Sequence, residues 1–334
     1  MNISVMAPGM LTTLQDGGRK GYQASGFSVS GCMDRESMQI ANMLVNNPFD
    51  EAVLEMQYLG GKFCFEGETY VALAGADMEP ELNGSRVAND CAIKVKAGDV
   101  LTCHRAVSGR FGYMAVAGGF DVPDVLGSKS TNLKCKIGGF EGRALQAGDT
   151  LSVKQETDWL LNEYLKETVP TVYEQSVRLH VIEGPQEAMF TRKGLQDFYS
   201  AAYQVTDQSD RMGYRLDGIP VESKNGVDII SDGIVEGSVQ VPPAGLPMIL
   251  LADRQTTGGY AKIGTVVSVD IPKLVQCMPG AEIHFEKISV ADAVELYRRQ
   301  EKRIRKLCQM TGYCMGNKGM IQRWKERRTD RWKQ

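Results

Sequence analysis

Short apolar runs alternate along this chain with clusters of glycine, aspartate and proline, the pattern of many short strands joined by tight turns. Three segments share one design: "AIKVKAGDVLTC" (92–103), "ALQAGDTLSV" (144–153) and "QCMPGAEIHF" (276–285). In each, a small-residue turn leads into an alternating strand; glycine supplies the positive φ and aspartate can bond the backbone two residues on. "PMILLA" (247–252) and "GTVVSVD" (264–270) read as buried strands. Helical periodicity is confined to a few places. Over 33–48, Asp34 is a plausible cap, Met38, Ala41, Leu44 and Val45 share a face, and Pro48 ends the pattern. Residues 184–199 begin with an early proline, and 289–310 open with the capping-box spacing Ser289–Asp292. The fold class expected is mainly β with a few helices. Strands so spaced suggest barrels that are closed or nearly so, which leave few exposed edges.

The polar segment 154–175, with a short helical pattern around Trp159 to Leu165 and a break at Pro170, separates two such units. The expected organisation is an N-terminal β domain over 1–153, a linker over 154–175, a second β domain over 176–295 and a basic tail over 296–334. From residue 311 onward the pattern breaks up, and loose packing is expected there.

Composition narrows the function classes. The chain has 334 residues, 43% hydrophobic and 24% charged, the balance of a soluble globular protein. It has no apolar run long enough to span a membrane and opens without a secretory signal pattern. Eight scattered cysteines, none in a C-x-x-C pair, point to free thiols and a cytoplasmic address. The net charge of −3 hides an asymmetry. From Arg298 to Gln334 there are 13 Lys and Arg against 3 Asp and Glu, so the tail is basic and the body acidic. A solvated helix explains such a tail better than nucleic-acid binding does.

Several chemistries lack their residues. Three histidines at 104, 180 and 284 stand far apart, so no metal site is expected. "GGFDVPDVLGSKS" (118–130) resembles a phosphate-binding loop, but Ser128 separates the glycine from Lys129. "QDGGRKGY" (15–22) has no Rossmann unit around it. A Met-Lys-Met biotin carrier and a G-x-S-x-G elbow are both missing. No cofactor is therefore expected on this chain.

Four stretches remain that join turn residues to polar side chains: 14–37, "SDRMGYRLDG" (209–218), "SDGIVEGSVQVPPAG" (231–245) and "DRQTTGGY" (253–260). Arg19, Arg211, Arg215 and Arg254 all lie close to glycines, which suits a site where backbone and guanidinium both approach a planar anion. The competing reading has these arginines stapling loops to Asp16, Asp210, Asp217 and Asp253. The octapeptide itself reads either as a tight turn or as a polar site.

"LQDGGRKGYQASGFSVSGCMDRESMQIANMLVNNP" (14–48), "YMAVAGGFDVPDVLGSKST" (113–131), "SDRMGYRLDG" and "GSVQVPPAGLPMILLADRQTTGGYAKIGTVVSVDIPKLVQCMPG" (237–280) resemble, in order, the motifs of the biotin-dependent carboxyltransferase-like family, also called allophanate hydrolase subunit 2 or KipA. The likeness runs from about residue 3 to residue 295. It implies two β-barrel domains, the second cyclophilin-like, and a role as the C subunit of an ATP-dependent 5-oxoprolinase that opens 5-oxo-L-proline to glutamate. The partners implied are a KipI-like subunit 1 protein and a LamB-type subunit, with ATP on a partner. The alternatives are a carboxyltransferase acting on urea or a related amide, with biotin on another chain, and a regulatory protein that antagonises a KipI-type kinase inhibitor. Both enzyme readings need a small planar amide polarised at its carbonyl. The expected catalytic residues are Asp34, Asp253 and Arg254. The expected substrate-binding residues are Arg211, Arg215, Gln240, Gln255, Thr256, Thr257, Gly258, Gly259 and Tyr260. In this arrangement Arg254 anchors a carboxylate, Asp253 orients Arg254, and Gly258 and Gly259 let the backbone come close.

Overall fold

A computed structural model describes residues 1–154 and 171–311. The short helical pattern expected near Trp159, and everything beyond residue 311, lie outside the described residues. The first half contains β1 (Asn2–Ala7), β2 (Leu11–Gln15), α1 (Arg35–Leu44), β3 (Val53–Gln57), β4 (Lys62–Phe65), β5 (Thr69–Asp77), β6 (Glu81–Leu82), β7 (Ser85–Arg86), β8 (Ala92–Val95), β9 (Val100–Thr102), β10 (Ser108–Val116) and β11 (Thr150–Ser152). These strands form a six-stranded sheet, β11-β1-β4-β9-β6-β7, and a five-stranded sheet, β2-β3-β10-β5-β8. Ile3, Val5, Phe63, Phe65 and Leu101 of the first sheet meet Leu14, Leu54, Met56, Val71 and Met114 of the second in one core.

The second half contains β12 (Ser176–Glu183), α2 (Arg192–Ser200), β13 (Ala202–Val205), β14 (Gly213–Asp217), β15 (Asp228–Gly233), β16 (Ser238–Gln240), β17 (Met248–Leu250), β18 (Thr257–Tyr260), β19 (Lys262–Val266), α3 (Ile271–Val275), β20 (Glu282–Lys287) and α4 (Val290–Met310). Seven of its strands close a barrel, β12-β19-β16-β17-β14-β13-β20, sealed by parallel pairing of β12 with β20. Strands β15 and β18 stand apart as a two-stranded ribbon. The chain is thus mainly β, and the second unit is a closed barrel as the resemblance implied.

The three glycine turns behave as their sequences predict: Gly98, Gly148 and Gly280 all have positive φ and lead into β9, β11 and β20. Helix α1 starts on Asp34, whose side chain accepts from the Ser37 amide. Helix α4 forms the expected capping box between Ser289 and Asp292. The second helix begins later than its proline suggests. Pro185 leads only into a 3-10 turn over Glu187–Met189, after which buried Phe190 is extended and Thr191 caps α2 at Arg192. Helix α3 was not expected, because its five residues follow directly on a strand-like run.

The five-stranded sheet is buried on both faces, with every residue of β3 and all but the first of β10 hidden. Its second face carries Ala72, Ala74, Phe111, Tyr113 and Ala115. They join Met38, Ala41 and Leu44 of α1 and the barrel interior in one continuous core. The seven cysteines among the described residues form no disulfide.

One side chain fastens this contact. The ladder between β10 and β5 slips between Ser108 and Gly112. In that gap the fully buried Gln276 amide stands in for a peptide group. Its oxygen accepts from the amides of Arg110 (2.8 Å) and Phe111 (2.9 Å), and its nitrogen donates to the Phe111 carbonyl and to Asp34 Oδ2, both at 2.9 Å. Arg110 lies beside it, its guanidinium between the rings of Tyr58 and Tyr214 at 4.7 and 4.6 Å. Gln276→Leu removes this partner from two amides and a carbonyl, at about 1–3 kcal/mol for each group left unsatisfied, and takes one of three bonds from the Asp34 carboxylate. We expect a Tm loss well beyond that of a surface substitution, measured by calorimetry.

Asp90 lies close enough to this region for Asp34 to raise its pKa electrostatically. It is 4% exposed. Burial, then the charges of Asp34 and Asp77, push its pKa to about 7. The folded chain therefore binds this proton more tightly than the unfolded chain does. Its contribution to stability falls as pH rises from about 4 to about 7 and stays level above. Asp90→Asn should flatten this slope and stabilise the protein at pH 8, by at most about 4 kcal/mol, with little effect near pH 4. The positive φ of 57° at this position suits asparagine. Urea unfolding of both forms across pH 4–8 checks this.

Candidate functional site

The glycine-rich segment after β2 is built around Asp16. Its carboxylate accepts from the amides of Gly18 (2.8 Å) and Lys129 (2.7 Å) and from the hydroxyls of Ser128 (2.7 Å) and Ser130 (2.5 Å). This draws loop 125–140 onto loop 16–34. Lys129 points inward to Glu51 at 2.5 Å and the Phe120 carbonyl at 3.1 Å. Its amide and that of Ser130 are already bonded to Asp16 and to Ser128. The loop resembling a phosphate cradle is thus closed on itself. Arg19 does not pair with Asp16. It is fully buried and donates to the carbonyls of Val125 and Ser130, both at 2.9 Å. Gly138 makes room for it, since a Cβ there would lie 2.7 Å from Arg19 Nη2.

Loop 16–34 also reaches the octapeptide. The Ser30 amide donates to the Ala252 carbonyl at 3.0 Å, and Ser28 Oγ to the Arg254 carbonyl at 2.7 Å. Asp253 turns toward Arg211 at 2.9 Å. The Arg211 guanidinium further binds Glu55 of β3 and, at 2.6 Å, the Gly31 carbonyl. Glu55 in turn accepts from the Met33 amide (2.7 Å) and from Tyr113 Oη (2.9 Å), and that hydroxyl accepts from the Asp34 amide (2.8 Å). Burial pushes the Glu55 carboxyl pKa upward, against the pull of Arg211.

Three of the four polar stretches therefore meet around Asp253, and the fourth touches the octapeptide's far end. There Gln240 donates to the Tyr260 carbonyl at 3.3 Å and the Ile234 amide to the Thr256 carbonyl at 3.0 Å. "DRQTTGGY" is neither one tight turn nor one loop. Asp253 and Arg254 close the turn after β17, Gln255 and Thr256 bridge, and Thr257–Tyr260 form strand β18 of the ribbon. Gln255, Thr257 and Tyr260 are exposed. Gly258 is the tight position, because a Cβ would come within 2.7 Å of Gln240 Nε2 and Ile234 Cδ1. At Gly259 the nearest atom is 3.5 Å away, so a Cβ there has room.

Arg254 is only 7% exposed. Its Nη1 donates to the Leu251 carbonyl at 3.1 Å, while its buried Nε has no partner among the described residues. Burial lowers its pKa, which the charges of Glu236 and Asp253 oppose. Asp34 is 1% exposed and accepts from the Ser37 amide and hydroxyl (3.0 and 2.6 Å) and from Gln276. Burial raises its pKa and those bonds lower it. Arg215 is exposed on β14 and stands outside the cluster.

Sequence reasoning passed over Glu55, Tyr113, Lys262 and Gln276. Glu55 and Lys262 carried a signal, a charge inside an otherwise apolar strand. Gln276 carried none. A groove of about 630 Å³ lined by Glu79, Glu81, Arg86, His104 and Arg105 lies elsewhere, beside the β6–β7 hairpin. Among the described residues no group of three or more acidic, histidine or cysteine side chains could hold a metal ion.

Comparison with known proteins agrees with this architecture. The chain is 37% identical to the 5-oxoprolinase C subunit of Escherichia coli, over 90% of this chain and 96% of that one. It is equally identical to the protein of that name from Haemophilus influenzae, over 86% of this chain and 92% of that one. The crystal structure of the Kluyveromyces lactis urea amidolyase superposes with a TM-score of 0.85 at 29% identity. That match covers 92% of this chain but only 20% of the much longer amidolyase. Residues 25–287 match the family described as carboxyltransferase domain, subdomain A and B, and the chain belongs to that family.

Proposed function

We propose that this chain is the C subunit of an ATP-dependent 5-oxoprolinase, which hydrolyses the lactam of 5-oxo-L-proline to L-glutamate together with partner subunits. The observation that carries this reading is the 37% identity to two proteins named as the C subunit of 5-oxoprolinase, each matched over more than nine-tenths of its length. In this reading ATP binds a partner chain; that Lys129 and the amides around it are bonded internally supports this. The partners would be a KipI-like subunit and a LamB-type subunit. The cysteines, none of them in a disulfide among the described residues, fit a cytoplasmic address.

In this reading the substrate lies against the barrel rim between Arg254 and the ribbon. The lactam is planar and neutral apart from its carboxylate. Opening it requires donors that meet the negative charge growing on the carbonyl oxygen. Gln240, Thr256 and Thr257 offer amide and hydroxyl groups, Tyr260 a half-exposed phenol, and Arg254 a guanidinium for the carboxylate. Asp34 and Arg211 are engaged by neighbours from both halves and the Asp253 carboxylate by Arg211, which supports a structural role for all three. The second reading, carboxyl transfer to urea or a related amide from biotin on another chain, is favoured by the likeness to urea amidolyase.

The isolated chain should hydrolyse no ATP in response to 5-oxoproline, and the assembled complex should. Turnover by the chain alone would remove the need for partners. Activity with urea and a biotin carrier would favour the second reading. Binding to the KipI-like protein with no turnover in any mixture would favour a regulator.

Arg254→Gln should lower kcat/KM for 5-oxoproline in the complex by about 30-fold or more, on the order of 2 kcal/mol. Turnover of 2-pyrrolidone, the same lactam without the carboxylate, measured on both forms, should not differ between them. Because Arg254 is buried, the substitution should also lower stability by about 1–3 kcal/mol. Melting is therefore measured alongside turnover. Equal losses with both lactams would separate Arg254 from the carboxylate.

A further inference from the structure

We propose that Lys262 is a positioning residue of this site: its buried ammonium tethers the β15–β18 ribbon to the barrel rim and so sets where Thr257, Gly258 and Tyr260 stand. The inference rests on the reading of the rim as the substrate site. Lys262 opens β19 between Ala261 and Ile263, both fully buried, and is itself 5% exposed. Its backbone belongs to the barrel, paired with Gln240 of β16 and bonded through its amide to Gln186 Oε1 at 3.1 Å. Its Nζ leaves the barrel for the ribbon, donating to Asp232 Oδ2 at 2.5 Å and to the Gly233 carbonyl at 2.7 Å. Asp232 and Gly233 lie opposite Gly258 and Thr257. The tether is therefore one residue pair away from the strand that faces the substrate.

The ribbon needs such a fastening. Two strands alone are marginal in water. The register of this pair also slips between Asp228 and Asp232, leaving Ile229, Ile230 and Ser231 across from Gly259, with Ile230 94% exposed. The lysine does not serve the barrel core. A buried amine paired with a half-exposed carboxylate is commonly no more stabilising than an apolar side chain of similar size. An ion pair kept at an apolar position is best explained by what it holds in place.

The test uses hydrogen exchange on the isolated chain and steady-state kinetics on the assembled complex. In Lys262→Met, amides of 228–233 and 257–260 should exchange at least tenfold faster while those of the seven barrel strands do not change. Asp232→Asn should give the same pattern, and the double variant should add nothing further. In the complex, Lys262→Met should raise KM for 5-oxoproline at least tenfold with a smaller change in kcat, and Lys262→Arg should recover most of the loss. Unchanged ribbon exchange, or faster exchange spread over the whole barrel, overturns the tether. Loosened exchange with unaltered KM overturns its role in positioning. If the wild-type complex has no 5-oxoprolinase activity, the functional reading fails, and the exchange data still decide whether the tether exists.

Discussion

Two peptide N–H groups and a carbonyl on β10 find their partners in the Gln276 side chain, which comes from the other half of the molecule. A strand buried on both faces cannot leave its edge unpaired. Where β5 slips out of register, only a group with both a donor and an acceptor can fill the place. The same amide bonds Asp34, the cap of α1, so the start of that helix is fixed to the second half. From Asp34 a line of bonds runs through Tyr113 and Glu55 to Arg211 and Asp253. The turn that opens the octapeptide is held at the end of that line.

This arrangement explains why the octapeptide carries so many polar groups. Asp253, partly exposed, completes an acid–base–acid set with the buried Arg211 and Glu55. Such sets add little net stability, because the cost of removing charges from water offsets their attraction. They do fix geometry, since any displacement leaves a charge unpaired. Arg254 follows directly, with its backbone carbonyl bound by Ser28 from the first half. The residues after it are released into the ribbon. Duties are thus divided within eight residues: the backbone of the first two is held, while in the proposed reading the Arg254 guanidinium and the later side chains serve the substrate.

Much of the fold was legible because its signals are local. The glycine turns, the Asp34 and Ser289 caps and the apolar strands each rest on neighbours close in sequence. The late start of α2 shows the limit: Pro185 signals a helix start, but burial of Phe190 forces an extended residue and hands the cap to Thr191. The site was legible as a set of segments and not as a geometry. Arg close to Gly drew attention to Arg211 and Arg254, and the stapling reading named Asp253, which Arg211 does bind, but the other partners lay out of view. Arg211 pairs with Glu55, more than a hundred residues away, and Arg19 binds carbonyls instead of Asp16. Lys262 was visible as a charge in an apolar run. Gln276 was not, because nothing nearby reveals that a strand far away needs a peptide substitute.

The continuous core beneath β10 and α1 bears on how such a chain can evolve. Its apolar contacts run without a break from the five-stranded sheet into the barrel. A gene split between the halves would give two products, each with a wide greasy face, the first with unmet peptide groups on β10 and the second with an unpartnered Gln276 amide. Neither would be inherited as a working piece. Fusion at the ends disturbs none of this, because the binding lies in the middle. A module so built is expected to travel between larger polypeptides whole, gaining neighbours on either side while its own interior stays undivided.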